Sequence, residues 1–232
     1  MAHSPEDLPG AFAAFARDLL DQGSVQSTLD EIAQLAVDEI RGCEFAGISV
    51  LHGRGNVSTP AATHAIVEEA DRLQYALDEG PCLKAIHDRD VYFVDDTTTE
   101  TRWPRFMTGV ADLGMRSMMS VQLFTRREVL GGMNLYSTEV KAFDPASARF
   151  GELLAAHAAV ALASAQHEEN LRGAIRTRER IGEATGILME RYKVSSQEAF
   201  SLLAKASQNL NSKLRDLAEE IVHTGDFPNR RT

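Results

Sequence analysis

The sequence predicts an α+β fold followed by an all-helical module, and three observations carry that prediction. Short β-rich runs alternate with helical stretches up to about residue 143. Helical patterns lie at both ends of this region as well as between runs, which favours an antiparallel sheet with flanking helices over a doubly wound parallel sheet. From Asp144 onward only helical patterning remains.

The elements follow in order. In a helical segment over residues 1–22, Phe12, Phe15, Leu19 and Leu20 share one face. Ser24 can cap a second helix, in which Val25, Leu29, Ile32, Ala36 and Ile40 recur at helical spacing until Gly42 stops it. Residues 43–51 form an apolar, partly alternating strand, and Gly53-Arg54-Gly55 is a turn signal. A short β-rich run spans 91–94. Residues 117–124 and 130–136 make a hairpin across Thr125-Arg126-Arg127-Glu128. Helical pieces at 66–76, 81–87 and 103–113 separate these strands.

At Asp144-Pro145 a cap precedes a residue suited to the first helical position, and no proline follows until after about residue 192. Gly151, Gly173, Gly182 and Gly186 are tolerable but weakening. A helix this long exceeds the globular norm and points to a coiled coil or an interdomain rod. Val160, Ser164, His167, Leu171, Ala174, Arg178, Ile181, Thr185 and Leu188 follow a 3–4 alternation. With Arg178 and His167 inside the seam, it reads as a modest homodimer contact, not a free-standing zipper. Two shorter helices complete the tail. Ser195-Ser196-Gln197-Glu198 has the capping-box form, and Phe200, Leu203 and Ala206 follow as an apolar face. Asn211 is expected to cap the last helix, with Leu214, Leu217, Ala218 and Ile221 as its stripe and Gly225 closing it. The predicted organisation is an N-terminal helical segment (1–22), a mixed domain (23–165) and a helical module (166–228), with a connecting helix at about 145–192.

Composition bounds the function. Of 232 residues, 44% are hydrophobic and 25% charged, as in an ordinary globular protein. No apolar run approaches the roughly 20 residues that span a bilayer. Glu6 and Asp7 stand where a signal peptide carries basic residues, so a cytoplasmic protein with no membrane partner is expected. Cys43 and Cys82 make neither a disulfide framework nor a metal cluster, and read as small buried hydrophobes. The net charge of −10 argues against coating nucleic acid by bulk electrostatics. Residues 1–167 hold 13 Lys and Arg against 24 Asp and Glu, whereas residues 168–232 hold 11 against 10. That asymmetry hints at two functions in one chain.

Motifs sharpen both halves. Leu77-Asp78-Glu79-Gly80-Pro81-Cys82 breaks one helix and restarts another. Asp95-Asp96, Arg102-Trp103-Pro104-Arg105-Phe106, Leu113-Gly114-Met115-Arg116-Ser117 and Leu130-Gly131-Gly132-Met133-Asn134-Leu135-Tyr136 follow, then Phe143-Asp144. In this order and spacing residues 20–165 resemble a GAF domain of actinobacterial regulators. The resemblance implies a small-molecule or redox sensor built on an antiparallel sheet, often dimeric through its flanking helices. Cys82, Trp103 and Met118 are the candidates to line a ligand pocket. No haem, flavin or cyclic-nucleotide signature stands out, so the cofactor is unknown. His64 and His87 read as loop or surface histidines.

The tail runs from Arg178-Glu179-Arg180-Ile181-Gly182-Glu183-Ala184-Thr185-Gly186-Ile187-Leu188-Met189-Glu190-Arg191-Tyr192 through Gln197-Glu198-Ala199-Phe200 to Lys213-Leu214-Arg215-Asp216-Leu217-Ala218-Glu219. It is similar to the ANTAR domain, an RNA-binding transcription-antitermination module. The resemblance implies a dimer that captures paired RNA stem-loops near terminators. It departs from the family at Thr185, where lysine is common. Lys213 and Arg215 open the last helix, where amides and cations together can hold phosphate. Tyr192 and Met189 are candidates to pack on an unstacked base. Arg191, Thr185, Ser207, Gln208 and Asn211 complete the candidate contacts. Arg172, Arg176 and Arg180 share a face with Glu168, Glu179 and Glu183 nearby, and read as a salt-bridged surface before an RNA track. A DNA-binding regulator and a thiol redox enzyme using Cys82 remain as alternatives to a non-enzymatic RNA-binding regulator.

Overall fold

The structure is a computed structural model that describes residues 24–88 and 91–227, apart from the Arg54 side chain. The helix expected over residues 1–22 lies outside the described residues. Contacts divide the chain after His167 into two compact units.

The first unit is built on a five-stranded sheet of β1 (Phe45–Leu51), β2 (Val57–Ala62), β3 (Tyr92–Val94), β4 (Ser117–Phe124) and β5 (Val129–Ser137). The strand order is β2-β1-β5-β4-β3 and every pairing is antiparallel. Alternation sends successive side chains to opposite faces. Ile48, Met119, Val121, Leu123, Met133 and Leu135 enter one core, where they meet Leu29, Ile32 and Ala36 of α1 (Val25–Glu39) and Leu154, Ala158 and Leu162 of α5 (Pro145–Tyr192). Met118 and Tyr136 enter a second core with Val67 and Ala70 of α2 (Ala65–Leu77) and Phe106, Met107 and Val110 of α4 (Pro104–Asp112). The short helix α3 (Pro81–Asp88) also packs on this second face, against β4 and β5.

Local chemistry accounts for the helix starts. Ser24 and Ser27 form a reciprocal capping box on α1. The Asp144 carboxylate accepts the amides of Ala146 and Ser147, both at 2.8 Å, to start α5. The strand β2 is absent from the sequence expectations because Pro60 interrupts its short run. It is tolerated because β2 lies at the sheet edge. The Pro60 carbonyl accepts a hydrogen bond from Gln26 Nε2 at 2.9 Å.

In the second unit, the C-terminal part of α5 packs with α6 (Ser196–Leu210) and α7 (Leu214–Thr224) around Ala184, Leu188, Leu203, Leu217, Ala218 and Ile221. Ser195 and Glu198 form the capping box of α6. Two local expectations change. Asn211 is the left-handed C-cap of α6, at φ 50°, and Lys213 is the N-cap of α7. On α6 the buried positions are Ala199 and Leu203, so Phe200, about 100° away from Ala199, is 46% exposed. Along α5, Leu153 and Val160 are exposed within the first unit, and Leu171 and Ile175 within the second. No described helix is long and apolar enough to cross a membrane.

Candidate functional site

The residues expected to contact RNA fall in three places. The first is the head of α7. Lys213 and Arg215 are exposed there, with Arg215 Nε 3.0 Å from Asp216 Oδ1. The turn before them is held by Ser207 Oγ, which donates to the Ser212 carbonyl at 2.6 Å, and carries exposed Asn211. Arg176 and Arg180 of α5 join Arg215 in one open groove, together with Glu169, Asp216 and Glu219. Arg180 is paired twice, with Glu183 at 2.8 Å and Glu219 at 3.2 Å, and Arg172 pairs with Glu168 at 2.6 Å. Arg176 has no ion pair among the described residues.

The second place is a groove between α5 and the start of α6. Met189 lies there, 37% exposed, beside Phe200. Thr185 is buried at the groove floor, where its hydroxyl donates back to the Ile181 carbonyl at 2.7 Å. Gly182 and Gly186 also line this groove, and a Cβ at either would meet nothing within 4 Å. Each glycine weakens the helix by about 1 kcal/mol relative to alanine, and no neighbour in the described chain requires either.

The third place is the end of α5. The Tyr192 hydroxyl donates to Asp226 Oδ1 at 2.8 Å, and Arg191 Nη2 lies 3.0 Å from Asp226 Oδ2. A second Arg191 nitrogen donates to the Gly225 carbonyl. The Tyr192 and Phe227 rings tilt together at 6.3 Å. The Tyr192 hydroxyl, the Phe227 amide and Arg191 together hold the Asp226 carboxyl below its ordinary range. The Asp226 contact in turn pushes the Tyr192 phenol up. Tyr192 therefore sits at the tail of α7 and Lys213 at its head, separated by 11 helical residues or about 16 Å.

In the first unit the sheet covers a buried polar network. Asp71 of α2 is fully buried and accepts from Thr59 Oγ1 at 2.7 Å, Asn134 Nδ2 at 3.0 Å and the Tyr136 hydroxyl at 2.5 Å. Asn134 Nδ2 also donates to Ser49 Oγ at 3.0 Å, and Ser49 Oγ lies 2.6 Å from the Tyr75 hydroxyl. Cys82 Sγ donates to Ser49 Oγ at 3.3 Å, and the Cys82 amide donates to Gln74 Oε1 at 2.9 Å. Gly80 is needed beside that contact, because its φ is +132° and a Cβ would fall 2.0 Å from Gln74 Oε1. Burial pushes the Asp71 carboxyl up against its hydrogen bonds. Burial and the nearby Asp71 push the Cys82 thiol up to about 12.

Of the other sensor candidates, Met118 is fully buried in the second core. Trp103 is half-buried at its border, with Tyr92 edge-on at 6.0 Å and the Arg102 guanidinium 4.6 Å above its ring. His64 caps α2 through Nδ1, and His87 is exposed. Among the described residues no group of three or more His, Cys, Asp or Glu is placed to hold a metal ion. The network escaped the sequence reading because Asp71 sits amid Glu68, Glu69 and Arg72 and looks solvated. The available signal was the interruption of apolar strands by Ser49 and Asn134.

Residues 22–163, well over half of the chain, match the GAF domain family. The chain belongs to the GAF family. Residues 169–222 of this GAF protein match the ANTAR domain. GAF is a signal-sensing domain and ANTAR an RNA-binding antitermination domain, so the chain is a GAF–ANTAR regulator. Solved structures carry the same GAF architecture at low identity. The GAF domain of an Acinetobacter phosphoenolpyruvate-protein phosphotransferase is 15% identical at a TM-score of 0.55, covering 71% of this chain and 97% of that one. A bacteriophytochrome from the photosynthetic bacterium R. palustris is 11% identical at a TM-score of 0.61, covering 88% of this chain and 47% of its own. The Stigmatella aurantiaca phytochrome photosensory core is 16% identical at 0.57, covering 90% of this chain and 47% of its own. The GAF–ANTAR chain thus spans about half the length of these two phytochrome chains. No curated protein matches it.

Proposed function

We propose that this GAF–ANTAR regulator binds RNA stem-loops near terminators and promotes antitermination, acting in the cytoplasm as a homodimer. In this reading the GAF unit senses a small-molecule or redox signal, or serves to dimerise. The supporting observation is that Lys213 and Arg215 are both exposed at the start of α7, with Arg176 of α5 lining the same groove as Arg215. Amides and cations at a helix start are a phosphate-binding combination. Exposed Leu153 and Val160, and likewise Leu171 and Ile175, give α5 apolar surface to offer a second copy. Altered GAF geometry would then set the spacing of two RNA modules.

Two other readings have less support. A DNA recognition helix lies along its groove, so α7 would set Glu219 and Glu220 as well as Asp216 against the backbone, whereas the RNA reading uses only its first turn. Thiol chemistry needs a thiolate, and Cys82 is buried with its thiol pushed up to about 12. The test is fluorescence anisotropy of the full chain with tandem RNA hairpins and with duplex DNA of matched length. RNA should bind more tightly, with affinity falling as salt rises. A preference for the duplex DNA would overturn the proposal.

A further inference from the structure

We infer that the groove between α5 and the first turns of α6 holds a single unpaired base of an RNA loop, with Phe200 as the stacking platform. This rests on the RNA reading and names a contact that the head of α7 does not provide.

The groove is lined by Ile181, Gly182, Gly186, Met189 and Phe200, with Arg178 at its rim, and is an open concavity of about 890 Å³. That is within the range of about 300–1,000 Å³ for small-ligand clefts. Phe200 and Met189 are 46% and 37% exposed, and neither joins the three-helix core. Both face the same concavity from different helices. Gly182 and Gly186 sit one turn apart on its floor with open space above each. A flat ring can approach the α5 backbone there as no side chain would allow.

The charge pattern selects the occupant. No carboxylate lines this groove, and Arg178 makes no hydrogen bond or ion pair among the described residues. By contrast, the groove at the head of α7 is lined by three carboxylates, and its Arg180 and Arg215 are already paired. An apolar floor with one free guanidinium suits a base ring and its phosphate. Gln197 and Ser196 add hydrogen-bonding groups at the rim, and their first-turn amides lack intrahelical partners. A second copy fits less well, since an in-register parallel α5 pair seamed through Arg178 would bring like charges together. Stacking on aromatic side chains is the usual way that unpaired RNA bases are held.

The experiment first selects a tandem-hairpin RNA from a pool with randomised loops, using the full wild-type chain. Affinity is then measured for wild type, Phe200→Ala and Phe200→Tyr, on that RNA and on versions with each loop base made abasic. Phe200→Ala should weaken binding by about five- to 150-fold, the worth of one stacked base, and Phe200→Tyr should restore it. On the RNA abasic at the responsible position, Phe200→Ala should cost nothing further. Unchanged affinity for Phe200→Ala overturns the groove assignment alone. A loss accompanied by a change in oligomeric mass on gel filtration overturns it in favour of a second copy. Failure of the wild-type chain to enrich any RNA overturns the RNA reading and this inference with it.

Discussion

Replacing Asp71 by Asn tests whether the polar network under the sheet is held by hydrogen bonds or by charge. Burial keeps the Asp71 carboxyl above its ordinary value of 3.8, so the folded chain holds this proton to higher pH than the unfolded chain does. The folded state therefore binds more protons between 3.8 and the raised value, and stability falls as pH climbs through that window. The slope is about 1.4 kcal/mol per pH unit. Asn keeps one oxygen for Tyr136 and Asn134, and its amide can donate to Thr59, whose hydroxyl can turn to Tyr75 at 2.7 Å. Asp71→Asn should thus stay within about 1 kcal/mol of wild type in acid, lose this titration, and exceed wild type near neutrality. Asp71→Ala instead leaves the Tyr136 hydroxyl and one Asn134 N–H facing no acceptor. At about 1–3 kcal/mol for each orphaned donor, the loss is about 2–6 kcal/mol. Urea unfolding followed by Trp103 fluorescence measures this, because Trp103 is the sole tryptophan and lies in the sheet-bearing unit. If Asp71→Asn were as damaging as Asp71→Ala at every pH, the carboxylate charge would be what the core needs, and this reasoning would fail.

Three further outcomes are expected. Asp226→Ala frees Arg191 and Tyr192 from their present partner and should raise hairpin affinity a few-fold, the scale of an exposed ion pair; weaker binding in anisotropy titrations would refute this. Lys213→Ala and Arg215→Ala should each lower the slope of log affinity against log salt by about one, if each meets one phosphate. Unaltered slopes would remove both from the contact set. Cys82, buried with its thiol pushed up to about 12, should resist iodoacetamide at pH 8 in the native chain and react once the chain is unfolded. Mass spectrometry showing native alkylation at the rate of a free cysteine would contradict the burial.

The sequence made most of the architecture legible where local chemistry is self-contained. Asp144-Pro145, the Ser195–Glu198 box and the hairpin across residues 125–128 each involve residues near in the chain, and all appear as expected. Reading failed where a choice depended on distant partners. Phe200 and Ala199 are equally apolar neighbours, and only the packing of α5 and α7 decides that Ala199 turns inward. Asn211 suits either side of a helix boundary, and its left-handed backbone assigns it to the end of α6. Tyr192 and Lys213 both flank short connections between helices. The run of α7 carries them to opposite ends, and Asp226-Phe227 folds back on the former. The polar network needed β1, β2, β5, α2 and α3 together, which no local pattern encodes.

The strand order has a consequence for how copies of this chain can meet. A sheet edge with a long row of open amides and carbonyls invites another strand to join it. Here one margin is β2, where Pro60 offers no amide and its carbonyl is taken by Gln26. The other is β3, only three residues long. Both margins are poor templates for a visiting strand. Association by sheet extension is discouraged at either side, and the exposed apolar face of a helix is left as the more suitable meeting surface.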